Sequence, residues 1–409
     1  VSRLPRVGAG ERRLVVWWTR ELERLLAARP RTGAALVAVA ARPAVVLVPV
    51  AAIVGGSFAW AVPDGDAGLF RDSGAALLQE RGLDVFATSG LQIGPLYLVV
   101  IGALSLLIGA VGSPELVRTV LGSAQSVLIV VLALWTASRA AHAAGRPRLP
   151  AQWAVGGALV LGGYVAEAIG NGHPEEIVVG LVLVGAALAA ASGNGGRAGV
   201  LLCVAIAVKQ WGALGGGVLL LGRRARVVLV GGFVTLVGTV LLHAPFALGG
   251  EVHTFDFAWG FRADTALGWL GGVTGWSEWG LRVVQGAVAG LVGAGLAWWS
   301  RTGPVVPVLG AVAMRLLLDP LRLTYYAGPL VAVGLVWAWS SHDPRVRAWR
   351  LPATLATPLL TLAPYLVPQA VIYPVGSILL AGLLLVLTLE RSSSGPRMRL
   401  GVRADVSTP

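Results

Sequence analysis

The sequence predicts an all-α, polytopic integral membrane protein with about 12 transmembrane helices, and three observations carry that prediction. Of its 409 residues 56% are hydrophobic and only 13% charged, with a mean hydropathy of +0.76. No soluble core could hide that much apolar surface, and repeated apolar runs of roughly 18 to 22 residues read as membrane-spanning helices. The 56 Gly, with abundant Ala, suit close helix packing in lipid. Finally, the basic residues fall in short Arg blocks between apolar runs. That is the signature of cytoplasmic loops, so the net charge of +12 implies no nucleic-acid partner.

Residues 1–43 form a basic segment placed in the cytoplasm by its arginines, with an interfacial helix expected over Glu11 to Ala28. No short apolar stretch with a small-residue cleavage site precedes it, so no removable signal peptide is read. Residues 44–390 read as the membrane domain, with external loops at 63–90 and 246–281, and residues 391–409 as a basic cytoplasmic tail. The apolar runs lie at 44–62, 91–112, 119–137, 151–170, 177–192, 198–222, 227–245, 282–299, 303–318, 321–340, 352–368 and 372–389. Strict alternation would put Arg139, Arg146 and Arg148 outside and Asn171 to Glu176 inside, against the charge rule. The conflict disappears if 91–112 lies along the outer interface without crossing and 198–222 is a bent hairpin with Lys209 near its turn. Both termini are then cytoplasmic, and the loop after the first span is external to the plasma membrane.

That loop concentrates acid. Between 63 and 90 it holds Asp64, Asp66, Asp72, Glu80 and Asp84 against Arg71 and Arg81. Asp64 and Asp66 also suit the cap of a helix beginning near Gly68. A second polar constellation, His173, Glu175 and Glu176, could ligate a divalent cation or could simply begin a helix behind Pro174. Lys209, the only lysine in the chain, interrupts an apolar run, and an ionisable group at membrane depth calls for a partner. Arg315 and Arg322 could fork onto a phosphate, with Asp319 orienting one of them, or an internal Arg to Asp pair could close the hairpin. The loop at 246–281 holds Trp259, Trp269, Trp276 and Trp279, fitting either an interfacial belt or sugar stacking, with His253, Asp256, Arg262 and Asp264 beside them. The single Cys203 excludes an intrachain disulfide, and no phosphate-binding glycine loop, nucleotide fingerprint or zinc-protease motif is found.

The spacing Asp66, Phe70, Gly74, Leu77, Leu78, followed by Gln92, Gly94, Pro95, Leu96 and Tyr97, resembles the first external loop of the GT-C superfamily of membrane glycosyltransferases. The resemblance is greatest to the polyprenyl-phosphate-mannose-dependent mannosyltransferases of actinobacteria. It implies an inverting transfer of a sugar, mannose above others, from a polyprenyl-phosphate donor to a glycolipid or cell-envelope polysaccharide on the outer face. It further implies Asp66 as general base and Lys209 at the donor phosphate, where Arg315 and Arg322 could join it. Asp64, His173, Glu175, Glu176, Asp256 and Trp259 are then candidates for the acceptor or a metal. A carboxylate is the group wanted where a hydroxyl loses its proton as C1 is displaced. The span count alone equally allows a transporter or lipid flippase, although such proteins usually show two related halves and none are found here.

Overall fold

The computed structural model describes residues 20, 21, 23, 24, 26–62, 65–79, 82–254, 256, 260–299 and 303–389. Most of the expected interfacial helix, the tail at 391–409, Asp64 and Trp259 lie outside the described residues. The described chain is helical, with no strand among those residues.

Two helices lead in: α1, Pro30–Ala40, and α2, Pro43–Ala61, each with a proline in its first turn, where no amide partner is lost. The acidic loop then folds into α3, Asp66–Gln79, and a short 3₁₀ turn, Gly82–Ala87. Behind it comes α4, Pro95–Gly109, which starts beside Val208, whose carbonyl accepts the Gly94 amide at 2.9 Å. It ends beside Val117 near the start of α5, Pro114–Ala143. Both ends of α4 therefore stay at one end of the bundle, as the charge rule requires of the 91–112 run. Gly74 and Gly102 let α3 and α4 cross backbone to backbone: a Cβ on Gly74 would lie 2.5 Å from the Leu98 carbonyl oxygen.

A bent pair, α6, Arg148–Leu161, and α7, Tyr164–Gly170, turns by 43° at Gly162 and Gly163. It is followed by α8, Pro174–Ala191, the most enclosed helix. Next come α9, Gly195–Val208, and a long 3₁₀ segment, Gln210–Arg223. Lys209 between them is extended (φ −156°, ψ 134°) and breaks the helical ladder. The chain folds back there. Gly195 at the start of α9 and Leu219 near the end of the 3₁₀ segment both touch Gly231, and a Cβ on Gly212 would meet Ala205 at 2.5 Å. The hairpin expected over 198–222 is present, with Lys209 at its turn.

The remainder comprises α10, Ala225–Gly249; α11, Ala266–Thr274; α12, Glu278–Trp299; α13, Val306–Leu317; α14, Ala327–Ser340; α15, Pro344–Leu355; α16, Thr357–Leu366; and α17, Gln369–Leu389. Among the described residues six helices are long and apolar enough to cross a membrane, or seven with the bent pair as one span. The expected run at 352–368 is divided between α15 and α16, and the run at 321–340 becomes a polar turn followed by the shorter α14.

One end gathers arginines: Arg146 donates to the Ser341 carbonyl, Arg223 to the Trp298 carbonyl, and Arg224 lies against Gly193. The other end gathers Asp66, His173, Lys209 and Arg315. There the loops at 63–90 and 246–281 touch, since the Glu251 amide donates to Asp84 and the His253 amide to the Phe86 carbonyl. Trp269, Trp276 and Trp279 are exposed at 66%, 54% and 45%, which fits an interfacial belt and sugar stacking equally.

Candidate active site

Asp66 stands in the first turn of α3, where an acid is favoured by the unpaired amides of a helix start. Its carboxylate reaches across to the loop before α8. The Nε2 of His173 lies 2.7 Å from Oδ2 of Asp66, and the Nδ1 of the same ring lies 2.8 Å from Oε1 of Glu175. Ionised carboxylates only accept, so both ring nitrogens donate and the imidazole is cationic in this arrangement. Gly172 makes the approach possible. It holds φ +77°, and a Cβ there would sit 2.3 Å from the Ala67 nitrogen.

The line continues inward. Lys209, projected from the hairpin turn, places Nζ 2.7 Å from Oε1 of Glu175 and 2.9 Å from Oε1 of Glu176. Arg315 meets Glu176 through two bonds of 3.0 and 3.2 Å, a planar fork on a carboxylate. Its guanidinium is sandwiched between the rings of Trp211 and Tyr326, 4.7 and 4.9 Å from their centroids. Glu175 and Glu176 are fully buried and Lys209 nearly so. Six charges thus alternate in sign from Asp66 to Arg315, which is how ions persist away from water.

Asp66 is the only member of this line that is substantially open: its side chain is 48% exposed, against 5% for His173. The hydrogen bond from His173 holds the Asp66 carboxyl below its ordinary value of 3.8, against the partial burial that raises it. For His173, burial pulls the ring down. The Glu175 charge and the hydrogen bonds to Asp66 and Glu175 outweigh that effect, so it titrates above its ordinary 6.5. The ring also stacks on Tyr325, 4.1 Å between centroids and 15° from parallel, and meets the edge of Phe70 at 5.4 Å. A half-exposed carboxylate held on one oxygen can accept a proton from a hydroxyl brought to it.

The expected phosphate cations are divided. Lys209 and Arg315 face Glu175 and Glu176 inside the bundle, so their charges are already balanced. Arg322 stands apart in the turn after α13, in a left-handed conformation (φ 48°). Its amide and that of Leu321 donate to the buried Asp319 carboxylate, which fixes the turn. Its guanidinium donates to the Leu317 and Tyr373 carbonyls, and both it and that of Arg262 lie over the Tyr373 ring, 5.7 and 4.7 Å from its centroid. Asp319 therefore orients the backbone of Arg322. No Arg to Asp pair between Arg315 and Asp319 closes the hairpin: Arg315 turns to Glu176, and Arg282 approaches Asp319 at 3.7 Å.

Asp256 lies outside this group, exposed and bonded to His253 at 2.7 Å, while the hydroxyl of Ser89 donates to its carbonyl. Among the described residues no group of three or more His, Cys, Asp or Glu is arranged to hold a metal ion. Oε1 of Glu175 and both oxygens of Glu176 are engaged by cations, while Oε2 of Glu175 is buried without a partner. Sequence reasoning passed over Glu167, which accepts from the Tyr365 hydroxyl at 2.7 Å and from Asn171 at 3.1 Å. The signal was available, since Glu167 is the only acid in the 151–170 run.

A family model for glycosyltransferase family 87 matches residues 94–327, more than half of the chain. A search of curated proteins finds no match.

Proposed function

The chain belongs to glycosyltransferase family 87, a family of membrane glycosyltransferases of the GT-C type, and from that premise we propose an inverting transfer with Asp66 as its general base. The donor is a polyprenyl-phosphate sugar, mannose above others, and the acceptor a glycolipid or envelope polysaccharide. Family membership replaces the transporter alternative. The half-exposed Asp66 carboxylate, gripped on Oδ2 by a buried imidazolium, is the observation that carries this reading.

The acceptor hydroxyl oxygen attacks C1 of the donor sugar while the bond from C1 to the phosphate oxygen breaks. The hydroxyl proton passes to Asp66, and polyprenyl phosphate leaves with the bonding pair. One displacement inverts C1. Polyprenyl phosphate is already a good leaving group, so the protein chiefly positions the reactants and balances charge. His173 and the buried ion pairs hold Asp66 in place. With Lys209 and Arg315 committed to glutamates, Arg322 is the cation assigned to the donor phosphate, and the exposed tryptophans of the second external loop rest at the lipid interface.

The arginine-rich end of the bundle faces the cytoplasm and the Asp66 end faces outward, as the charge rule asks. The test is transfer of radiolabelled mannose from polyprenyl-phosphate mannose into membrane lipids and polysaccharide, comparing wild type with Asp66→Asn at equal expression. Loss of a general base removes about 10² to 10⁴ of the rate. Equal transfer by both proteins would show that Asp66 is not the base.

A further inference from the structure

At the arginine-rich end of the bundle, opposite Asp66, three guanidiniums gather from separate stretches of chain. The turn after α5 carries Arg146, and α15 carries Arg347 and Arg350, three positions apart and so on one side of that helix. Helix α15 packs on α14 and α6, with Val346 buried beneath it. Arg146 donates to the Ser341 carbonyl at 3.4 Å, and Arg350 lies over the Trp339 ring, 4.4 Å from its centroid. Burial, with the like charges of Arg347 and Arg350 beside it, holds Arg146 below its ordinary value of 12.5. The Nε atoms of Arg146 and Arg347 are buried and meet no acceptor, and neither guanidinium is paired with a carboxylate among the described residues. Asp343, the one acid between 341 and 355, accepts the Arg345 amide at 2.7 Å and caps α15.

We propose that this cluster binds the headgroup phosphate of an anionic phospholipid from the cytoplasmic leaflet, with Arg146 and Arg347 as its principal contacts. Like charges brought together repel, an anion between them relieves the repulsion, and guanidinium groups hold phosphate oxygens in pairs. The surroundings suit a lipid above a free anion. Trp349 and Leu355 of α15 are exposed at 71% and 69%, so an aromatic and an aliphatic side chain lie open beside the cations, as at the level where headgroups meet acyl chains. Basic pockets between helices on the cytoplasmic side are suited to anionic headgroups. Because the cluster and Asp66 stand at opposite ends of the bundle, its occupant is neither donor nor acceptor. Its effect is on the scaffold: a headgroup bridging Arg146 and Arg347 fastens α15 to the turn after α5. The next helix, α16, carries the Tyr365 hydroxyl that bonds Glu167 at the other end, so the lipid steadies the inner end of a helix pair whose outer end abuts the site.

The test uses the full chain purified in neutral detergent and titrated with acyl-labelled phosphatidylglycerol and, separately, with phosphatidylcholine bearing the same label. Wild type is expected to prefer phosphatidylglycerol by about tenfold, the scale of one charge-assisted contact. Arg146→Gln with Arg347→Gln removes that preference. Equal binding of the two lipids by wild type, or an undiminished preference in the double variant, overturns the proposal. Should the double variant fail to melt cooperatively, Arg347→Gln alone carries the test: a lower preference is expected, and an unchanged one overturns the site. Arg197→Gln removes another arginine from the same end, one stacked on Trp135, and should keep the preference. A loss there as large as in the double variant would show a diffuse charge effect and overturn the site. Inorganic phosphate displacing the lipid at a comparable concentration would overturn the lipid assignment. Labelling of Ala143→Cys, three residues from Arg146, in intact cells would overturn the leaflet.

Discussion

His173 Nε2 stands 2.7 Å from Asp66 Oδ2, a hydrogen bond between residues 107 positions apart that joins the start of α3 to the start of the most buried helix. Its pH dependence follows from the two shifts. Asp66 titrates below 3.8, so the stability of its ionised form is present above that value and lost as pH falls through the lowered pKa. His173 titrates above 6.5, so its contribution is complete below that value and lost as pH rises through the raised pKa. The pair is intact between these limits. In His173→Gln the acid limb of kcat/KM should move to higher pH, because the hydrogen bond that lowers Asp66 is weakened. A pH profile with an unmoved acid limb would show that His173 does not set the Asp66 carboxylate.

Lys209→Met leaves Glu175 and Glu176 short of one cation in a buried site. Removing one partner of a buried ion pair costs about 3–5 kcal/mol. Thermal unfolding in detergent should therefore show a large loss of stability. A stable Lys209→Met protein with only a raised donor KM would instead assign Lys209 to the phosphate.

Arg322 offers a cleaner test of donor binding because its backbone is left-handed, a conformation that asparagine tolerates. Arg322→Asn removes the guanidinium without a new backbone strain. The donor KM should rise about tenfold, the loss of one charged contact, with melting temperature little changed. An unchanged KM would remove Arg322 from the donor site.

Gly172→Ala adds a methyl group where 2.3 Å separates it from the Ala67 nitrogen and where φ is +77°. Strain of about 1–3 kcal/mol at this position has one ready relief, the retreat of α3 with Asp66 from His173. Turnover should fall well beyond the change in acceptor KM, and steady-state kinetics would reveal it. Normal turnover would mean that the loop adapts without moving the carboxylate.

Orientation is read by labelling single cysteines in a Cys203→Ser background. Ser277→Cys, exposed beside the tryptophans, should react in intact cells, and Ala143→Cys only after permeabilisation. The reverse result would invert the assigned faces.

Much of this arrangement was legible in the sequence because lipid imposes strong patterns. The apolar runs and arginine blocks marked the non-crossing α4 and the hairpin at Lys209, since charge could be balanced in no other simple way. Phe70, Gly74 and Tyr97 of the recognisable loop pattern now have physical roles: an edge on His173, a backbone crossing with Gly102, and a bond from Gln125. The pairings were not legible. Nothing periodic links Arg315 to Glu176 across 139 positions, and a lone Lys in an apolar run reads the same whether it faces a phosphate or a glutamate. The length of the hairpin arms was also hidden, since the second arm winds as a 3₁₀ helix and departs from the usual helical period.

The alternating line from Asp66 to Arg315 has an electrical consequence during turnover. With His173 protonated, three carboxylates face three cations, and the resting site is neutral. In the proposed reaction Asp66 takes the acceptor proton, and one negative charge would disappear while all three cations remain. The pocket becomes net positive as a phosphate monoester anion departs. Proton uptake by the base and retention of the leaving group are thereby coupled through a single charge count, and return of the proton to solvent discharges the site for the next donor.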